Sequence, residues 1–320
     1  MIELSAIILI PDASDGNRRL LKCLAAQTAR DRLELVFVST RKNMITLKDP
    51  DLQGFAAITH VAIDSLHSSA AARAAGIRRA NAPVIVLTED HSFPEPGWAE
   101  ALIRAHKGSY AVVGPRALNA NPSTTVSWVN FLIEYVEWYA AIESAPARHL
   151  PGHNSAYKKD VLLAYGNALD KWLEVESLMQ WDLVAHGHKL LLEPAARIRH
   201  MNFSQILPSL LLRLYCGRQF AGQRRCPWGL IKRFLYIVGS PLIPLVRLYR
   251  TVRLLSVSAH SALFILRLLP LMLFFLSVDA AGELAGYILG SGSTAAKIVP
   301  MDFHRDQYMT NRDRKSLGYI

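Results

Sequence analysis

Thr88-Glu89-Asp90-His91 sets two carboxylates and an imidazole directly after the apolar run Pro83–Leu87. Hard divalent cations such as Mg²⁺ or Mn²⁺ take oxygen ligands and commonly lie between a carboxylate and substrate phosphates. A diphosphate substrate suits such a place, and a solvated turn after a strand is the plain alternative. His200 ends the segment ARIRH and can close on the same metal, although a lone histidine is more often a satisfied surface or core group. Further along, WLEVESLMQWD carries Glu174, Glu176 and Asp182. On a helix Glu174 and Glu176 point about 200° apart, so only one at a time can face a pocket. Either can act as a general base toward an acceptor hydroxyl, or simply place acid at a helix start for its dipole. Pro151-Gly152-His153-Asn154 reads as a turn whose glycine lets backbone approach a ligand.

The elements that must position these residues follow from periodicity. Leu4–Ile10 is an apolar run stopped by Pro11 and the turn-forming DASDGN, helical spacing follows in RRLLKCLAAQT, and Leu33–Ser39 is the next strand. A third strand is expected near Ala57–Ala62, a helix near Ser68–Ala80, and a buried strand at Pro83–Leu87. Strands alternating with helices predict a parallel sheet covered on both faces, with ligands beyond the carboxyl ends of the strands, where the tetrad falls. Next come a helix at Trp98–His106, a strand at Ala111–Gly114 and an amphipathic helix near Val126–Ile142. A helix from Lys159, an acidic helix at Trp172–His186 and the strand KLLLEPAARIRH complete this part.

After Asn202 the chemistry changes. Residues 1–200 hold 21 Lys+Arg against 21 Asp+Glu, whereas residues 201–320 hold 15 against 5, so the net charge of +10 belongs to the last third. From Ser204 to Arg267 ten basic residues and no acid are interleaved with large apolar side chains. Basic plus apolar suits the surface of an anionic membrane, and the segment is too apolar for a nucleic-acid face. Ser204–Arg225 reads as an amphipathic helix. Gly229–Leu255 and Ala262–Leu289 are apolar stretches broken by Pro241, Pro244 and Pro270, and the second is long enough to span a bilayer. Asp279 and Glu283 argue against a clean span and leave interfacial helices open. Three cysteines without C-x-x-C spacing exclude a disulfide framework and suit a reducing, cytosolic setting. Met1 to Pro11 lacks the pattern of a secretory signal.

Taken in order, residues 4 to about 203 resemble the family 2 glycosyltransferases of the GT-A fold. The likeness runs through the opening strand ending in Pro11, LKCLAAQT, ELVFVST, SSAAARAAGIRRANAPVIVLTEDHSFPEPGW, GHNSAYKKDVL and VESLMQWDLVAHGHKLLLEPAARIRH. It implies an α/β fold with a mostly parallel, Rossmann-like sheet and helices on both faces over 1–203. The remainder is read as basic amphipathic and hydrophobic membrane-associated helices over 204–291 and a polar tail over 292–320. It further implies a nucleotide-diphospho-sugar donor, a divalent cation (Mn²⁺ or Mg²⁺) and inversion at the anomeric carbon.

Residue by residue, the tetrad occupies the family's D-x-D slot, with Asp90 at the last aspartate, Glu89 in the middle and Thr88 where the first aspartate usually stands. Glu176 matches the catalytic aspartate, and His200 matches a histidine that helps hold the metal together with Asp90 and Glu89. The resemblance assigns donor binding to Pro11, Ser39, Arg73, Thr88, Glu89 and Asp90, and acceptor binding to Gly152, His153, Asn154 and Glu174. Departures fall on the donor side, where Ser39 or Thr40 replaces an aspartate and Ala74 an asparagine. The implied activity is sugar transfer to a hydroxyl of a glycan or lipid-linked acceptor at the cytoplasmic face of a cell membrane, with no nucleic-acid partner. Arg213, Arg218, Arg224 and Arg225 are expected to face lipid or acceptor phosphates. The alternatives are a catalytically weak GT-A scaffold in a membrane glycan pathway and a polyprenyl-phosphate sugar synthase, which needs no base.

Overall fold

A computed structural model describes residues 1–11, 15–40, 52–256 and 260–318. Of the turn expected after Pro11, Asp12, Ala13 and Ser14 lie outside the described residues, as do Tyr319 and Ile320 of the expected tail. The chain runs β1 (Leu4–Ile10), α1 (Asp15–Ala25), β2 (Leu33–Thr40), β3 (Ala57–Ile63), α2 (Ser69–Arg79), β4 (Val84–Leu87) and β5 (Ser92–Pro94). It continues with α3 (Trp98–His106), β6 (Val112–Asn119), α4 (Thr125–Tyr139), β7 (Ala145–Ala147), β8 (Ala156–Lys158) and α5 (Lys159–Leu163). Then come α6 (Leu169–Trp172), α7 (Glu176–Ala185) and β9 (Leu190–His200). The last third is helical, with α8 (Ile206–Arg224), α9 (Leu230–Gly239), α10 (Ile243–Ser256), α11 (Ala262–Leu289), α12 (Thr294–Phe303) and α13 (Asn311–Ser316).

Two compact units result, one of Met1–Leu118 with Ala141–His200 and the other of Asn119–Ala140 with Met201–Ile320. The division follows the change of composition near residue 203, but α4 joins the second unit, which sequence order alone conceals.

The first unit is α/β, built on a mixed, mostly parallel sheet of nine strands in the order β3-β2-β1-β4-β8-β6-β9-β5, with β7 on β9. Strands β3, β2, β1 and β4 are parallel to their neighbours. Every residue of β1 and β4 is buried, which is why both read as apolar runs, broken only by Ser5, rather than as alternating ones. The remaining described pairings, β4 with β8, β8 with β6, and β9 with β5 and β7, are antiparallel. Three of these strands have only three residues, too few for alternation to register in the sequence. The single acidic helix expected at Trp172–His186 is broken: α6 ends at Trp172, Leu173 to Val175 form a turn, and α7 begins at Glu176.

In the second unit α8 and α11 approach backbone to backbone. A Cβ at Gly217 would meet the Asp279 carbonyl, one at Gly282 the Leu214 carbonyl, and one at Gly286 would lie 2.5 Å from the Arg218 carbonyl. Small residues at four-residue spacing permit this contact. Helix α11 is long and apolar enough to cross a membrane, yet its Asp279 and Glu283 are buried and both pair with Arg247 of α10. The four arginines expected to face phosphates are instead engaged inside the unit. Arg213 binds Asn130 and, at 2.6 Å, Glu134. Arg218 donates to the Gly290 carbonyl, and Arg225 to those of Tyr287 and Ile288, completing the carboxyl end of α11. Arg224 lies over the Trp228 and Tyr236 rings. Residues 292–318, read as a polar tail, carry α12 and α13 and bury Met301, Met309 and Asp313.

Candidate metal-binding and catalytic site

The parallel strands β1, β2 and β4 end at one edge of the sheet, which brings Pro11, Ser39 and Thr88 to that edge. Ser39 is opposite Ile10 and is buried. Thr88 faces β1: its Oγ1 donates to the Ile7 carbonyl at 2.7 Å and its amide to the same oxygen at 3.1 Å. Its hydroxyl therefore fastens the tetrad to the sheet.

The antiparallel β5–β9 ladder pairs Ser92 with His200, and that register carries a residue from the end of the unit to the tip of β4. Glu89, His91 and His200 converge there, all buried, with ligand-capable atoms within 4.8 Å of one another. Glu89 Oε2 lies 3.3 Å from His91 Nε2 and 3.8 Å from His200 Nε2. Asp90, expected as a direct ligand, turns its Oδ1 to His91 Nδ1 at 2.8 Å. A carboxylate that accepts the Nδ1 proton of a neutral imidazole leaves its Nε2 able to bind a metal, the arrangement by which outer carboxylates orient metal-bound imidazoles. His91 brings an imidazole into the tetrad, and a D-x-D template, built on carboxylates, gives it no role.

Burial alone would raise the Glu89 carboxyl; the His153, His91 and His200 rings outweigh that and hold it well below the usual carboxylate range. Two imidazoles and a carboxylate, buried and close together, form a group that could hold a metal ion.

His153 links this cluster to a second one. Its Nδ1 is 3.3 Å from Glu89 Oε1 and 3.3 Å from Glu176 Oε1. Glu176, the first residue of α7, also accepts from Arg73 of α2 at 3.0 Å, and both side chains are buried. The Pro151–Asn154 turn is pinned beside the tetrad because the Asn154 amide donates to the Leu87 carbonyl at 2.6 Å. Asn154 adopts a left-handed φ of 64°, which asparagine tolerates better than most residues. Gly152 lies against Glu176, where a Cβ would fall 2.9 Å from its Cβ and Oε2. Glu174 is half-buried in the turn before α7, and the side chain brought to Arg73 and His153 is that of Glu176.

The arrangement offers a cation seat, a buried carboxylate held by an arginine, and an imidazole between them at the carboxyl edge of a parallel sheet. Comparison with protein families and with curated proteins finds no match for this chain.

Proposed function

We propose that this chain is an inverting glycosyltransferase of the GT-A, family 2 type, taking a nucleotide-diphospho-sugar as donor and a hydroxyl of a lipid-linked or glycan acceptor at a membrane surface. The observation that carries the reading is the convergence of Glu89, His91 and His200 at the edge where β1, β2 and β4 end. Ligands of open α/β sheets bind at that edge. Glu89, His91 and His200 would hold the cation, and the two imidazoles favour Mn²⁺ over Mg²⁺. Such an ion, when bound, supplies positive charge against the charge that develops on the leaving diphosphate.

The protein's own groups do the rest. Pro11 and Ser39 border the donor side. Arg73 orients Glu176 through a charge-assisted hydrogen bond, and the Glu176 carboxylate takes the proton of the acceptor hydroxyl. His153 lies within reach of both carboxylates. The apolar helix α11 and the basic surroundings of α9 and α10 suit an acceptor presented by lipid.

The engagement of Glu176 by Arg73 also favours a second reading, a polyprenyl-phosphate sugar synthase, in which the carboxylate positions Arg73 and no base is required. Calorimetric titration with nucleoside diphosphates and nucleotide sugars, with and without Mn²⁺, tests the donor site. Metal-dependent binding of one donor, lost in Glu89→Gln, is the expected result, and no binding across the panel would overturn the transferase reading. With the donor known, Glu176→Gln separates the two acceptors: a loss of turnover of about a hundredfold or more indicates hydroxyl activation, and near-normal turnover indicates a phosphate acceptor.

A further inference from the structure

Helices α9 and α10 are joined directly by a 3-10 turn at Ser240–Leu242, so that helical structure (the rod) runs with little interruption over 230–256. Its sidedness is the reverse of a soluble surface helix. Several polar side chains turn inward: Arg233 donates to the Tyr287 carbonyl of α11, Arg247 pairs with Asp279 of α11, and Ser240 is buried. Apolar ones point outward. Ile231, Leu235, Val238, Leu242, Leu245 and Tyr249 recur at alternating steps of four and three residues, so they share one stripe, and each is between 56% and 80% exposed. Monomeric soluble proteins rarely expose apolar patches beyond roughly a few hundred Å² without a partner.

The rod's charges identify the partner. Lys232 at one end and Arg250 and Arg253 at the other are exposed, and the rod contains no acid. A second copy of the chain would bring the same cations together across a two-fold axis with no counter-charge on the rod. An anionic lipid surface supplies that counter-charge and an apolar layer beneath it.

We propose that α9 and α10 lie along an anionic lipid leaflet, with the Ile231–Tyr249 stripe among the acyl chains and Lys232, Arg250 and Arg253 at the headgroup phosphates. This surface differs from the one expected from sequence, whose arginines are used inside the unit. It draws on the second unit alone, so its failure would remove the lipid-presented acceptor but leave the donor and cation reading of the first unit standing.

The test is flotation of the purified protein with preformed vesicles of phosphatidylcholine, with and without phosphatidylglycerol. Wild type is expected to float with the anionic vesicles and to be released by salt. Ile231→Ser/Leu235→Ser changes only exposed positions and is expected to melt like wild type while partitioning at least about tenfold less. Lys232→Gln/Arg250→Gln is expected to lose about fivefold per charge on anionic vesicles, with no change on neutral ones. Equal partition of wild type to both vesicles, undiminished flotation of the stripe variant, or a wild-type dimer in solution that the stripe variant dissolves would each overturn the proposal.

Discussion

Asp90 Oδ1 and His91 Nδ1 lie 2.8 Å apart, so two successive side chains of one turn act at different distances from the same seat. On the proposed reading Asp90 would act through His91, its carboxylate holding the imidazole proton on Nδ1 and leaving Nε2 for a cation. Asp90→Asn should therefore weaken Mn²⁺ binding about ten- to a hundredfold, the range found for outer-shell partners. His91→Ala, which removes a ligand, should abolish binding. Calorimetric titration with MnCl₂ distinguishes them, and equal losses in the two variants would make Asp90 a ligand itself.

Gly152 is fixed by Glu176 rather than by its own backbone conformation. A methyl group placed there meets Glu176 Cβ and Oε2 at 2.9 Å, and Glu176 is held in turn by Arg73 at 3.0 Å. Gly152→Ala should cost about 1–3 kcal/mol of stability through overpacking. On the proposed transferase reading it should also lower kcat more than donor affinity, because the displaced carboxylate would be the one that takes the acceptor proton. Thermal unfolding together with donor titration measures the two effects separately.

The sheet's parallel part was legible because strands buried on both faces are mostly apolar, and LSAIILI and PVIVL, bounded by turns and rich in β-branched residues, are too short for helices. From its own residues His200 read only as a lone histidine, and resemblance alone joined it to Glu89, since their meeting depends on the Ser92–His200 register between a three-residue strand and an eleven-residue one. Glu176 and Glu174 were distinguished by resemblance alone. The physical difference is the break at Leu173–Val175, which makes Glu176 the first residue of α7. For Arg218 and Arg225, charge and apolar context indicated a surface. The carbonyls at the end of α11 that claim them become neighbours only through the α8–α11 contact.

His106 supplies a pH dependence remote from the cation seat. Burial, with a lesser contribution from Lys158, pushes its imidazole down to about 4, and its Nε2 lies 3.2 Å from the Ala156 carbonyl. In the unfolded chain the same group takes a proton near its ordinary value of 6.5. The unfolded state thus binds more protons below that value, and stability is lost as pH falls from 6.5 toward 4. The loss attributable to this one group is on the order of 3 kcal/mol. Denaturant midpoints at pH 7 and pH 4.5 should move less for His106→Gln than for wild type, after subtraction of the difference at pH 7.

Two glycines in the second unit should respond to alanine in opposite directions. At Gly286 the added Cβ lies 2.5 Å from the Arg218 carbonyl and 2.7 Å from Ala221 Cβ. No side-chain rotation relieves a clash with backbone, so α8 and α11 must separate and lose the contact their small residues allow. Gly286→Ala is expected to lower stability by at least about 2 kcal/mol. Gly239, the last residue of α9, has open space within 4 Å of its Cβ position, and alanine there only reduces the freedom of the unfolded chain. Gly239→Ala is expected to raise stability by about 0.4–1 kcal/mol. Thermal melts of the two variants side by side check the pair, and a neutral Gly286→Ala would mean that the α8–α11 contact is not close in solution.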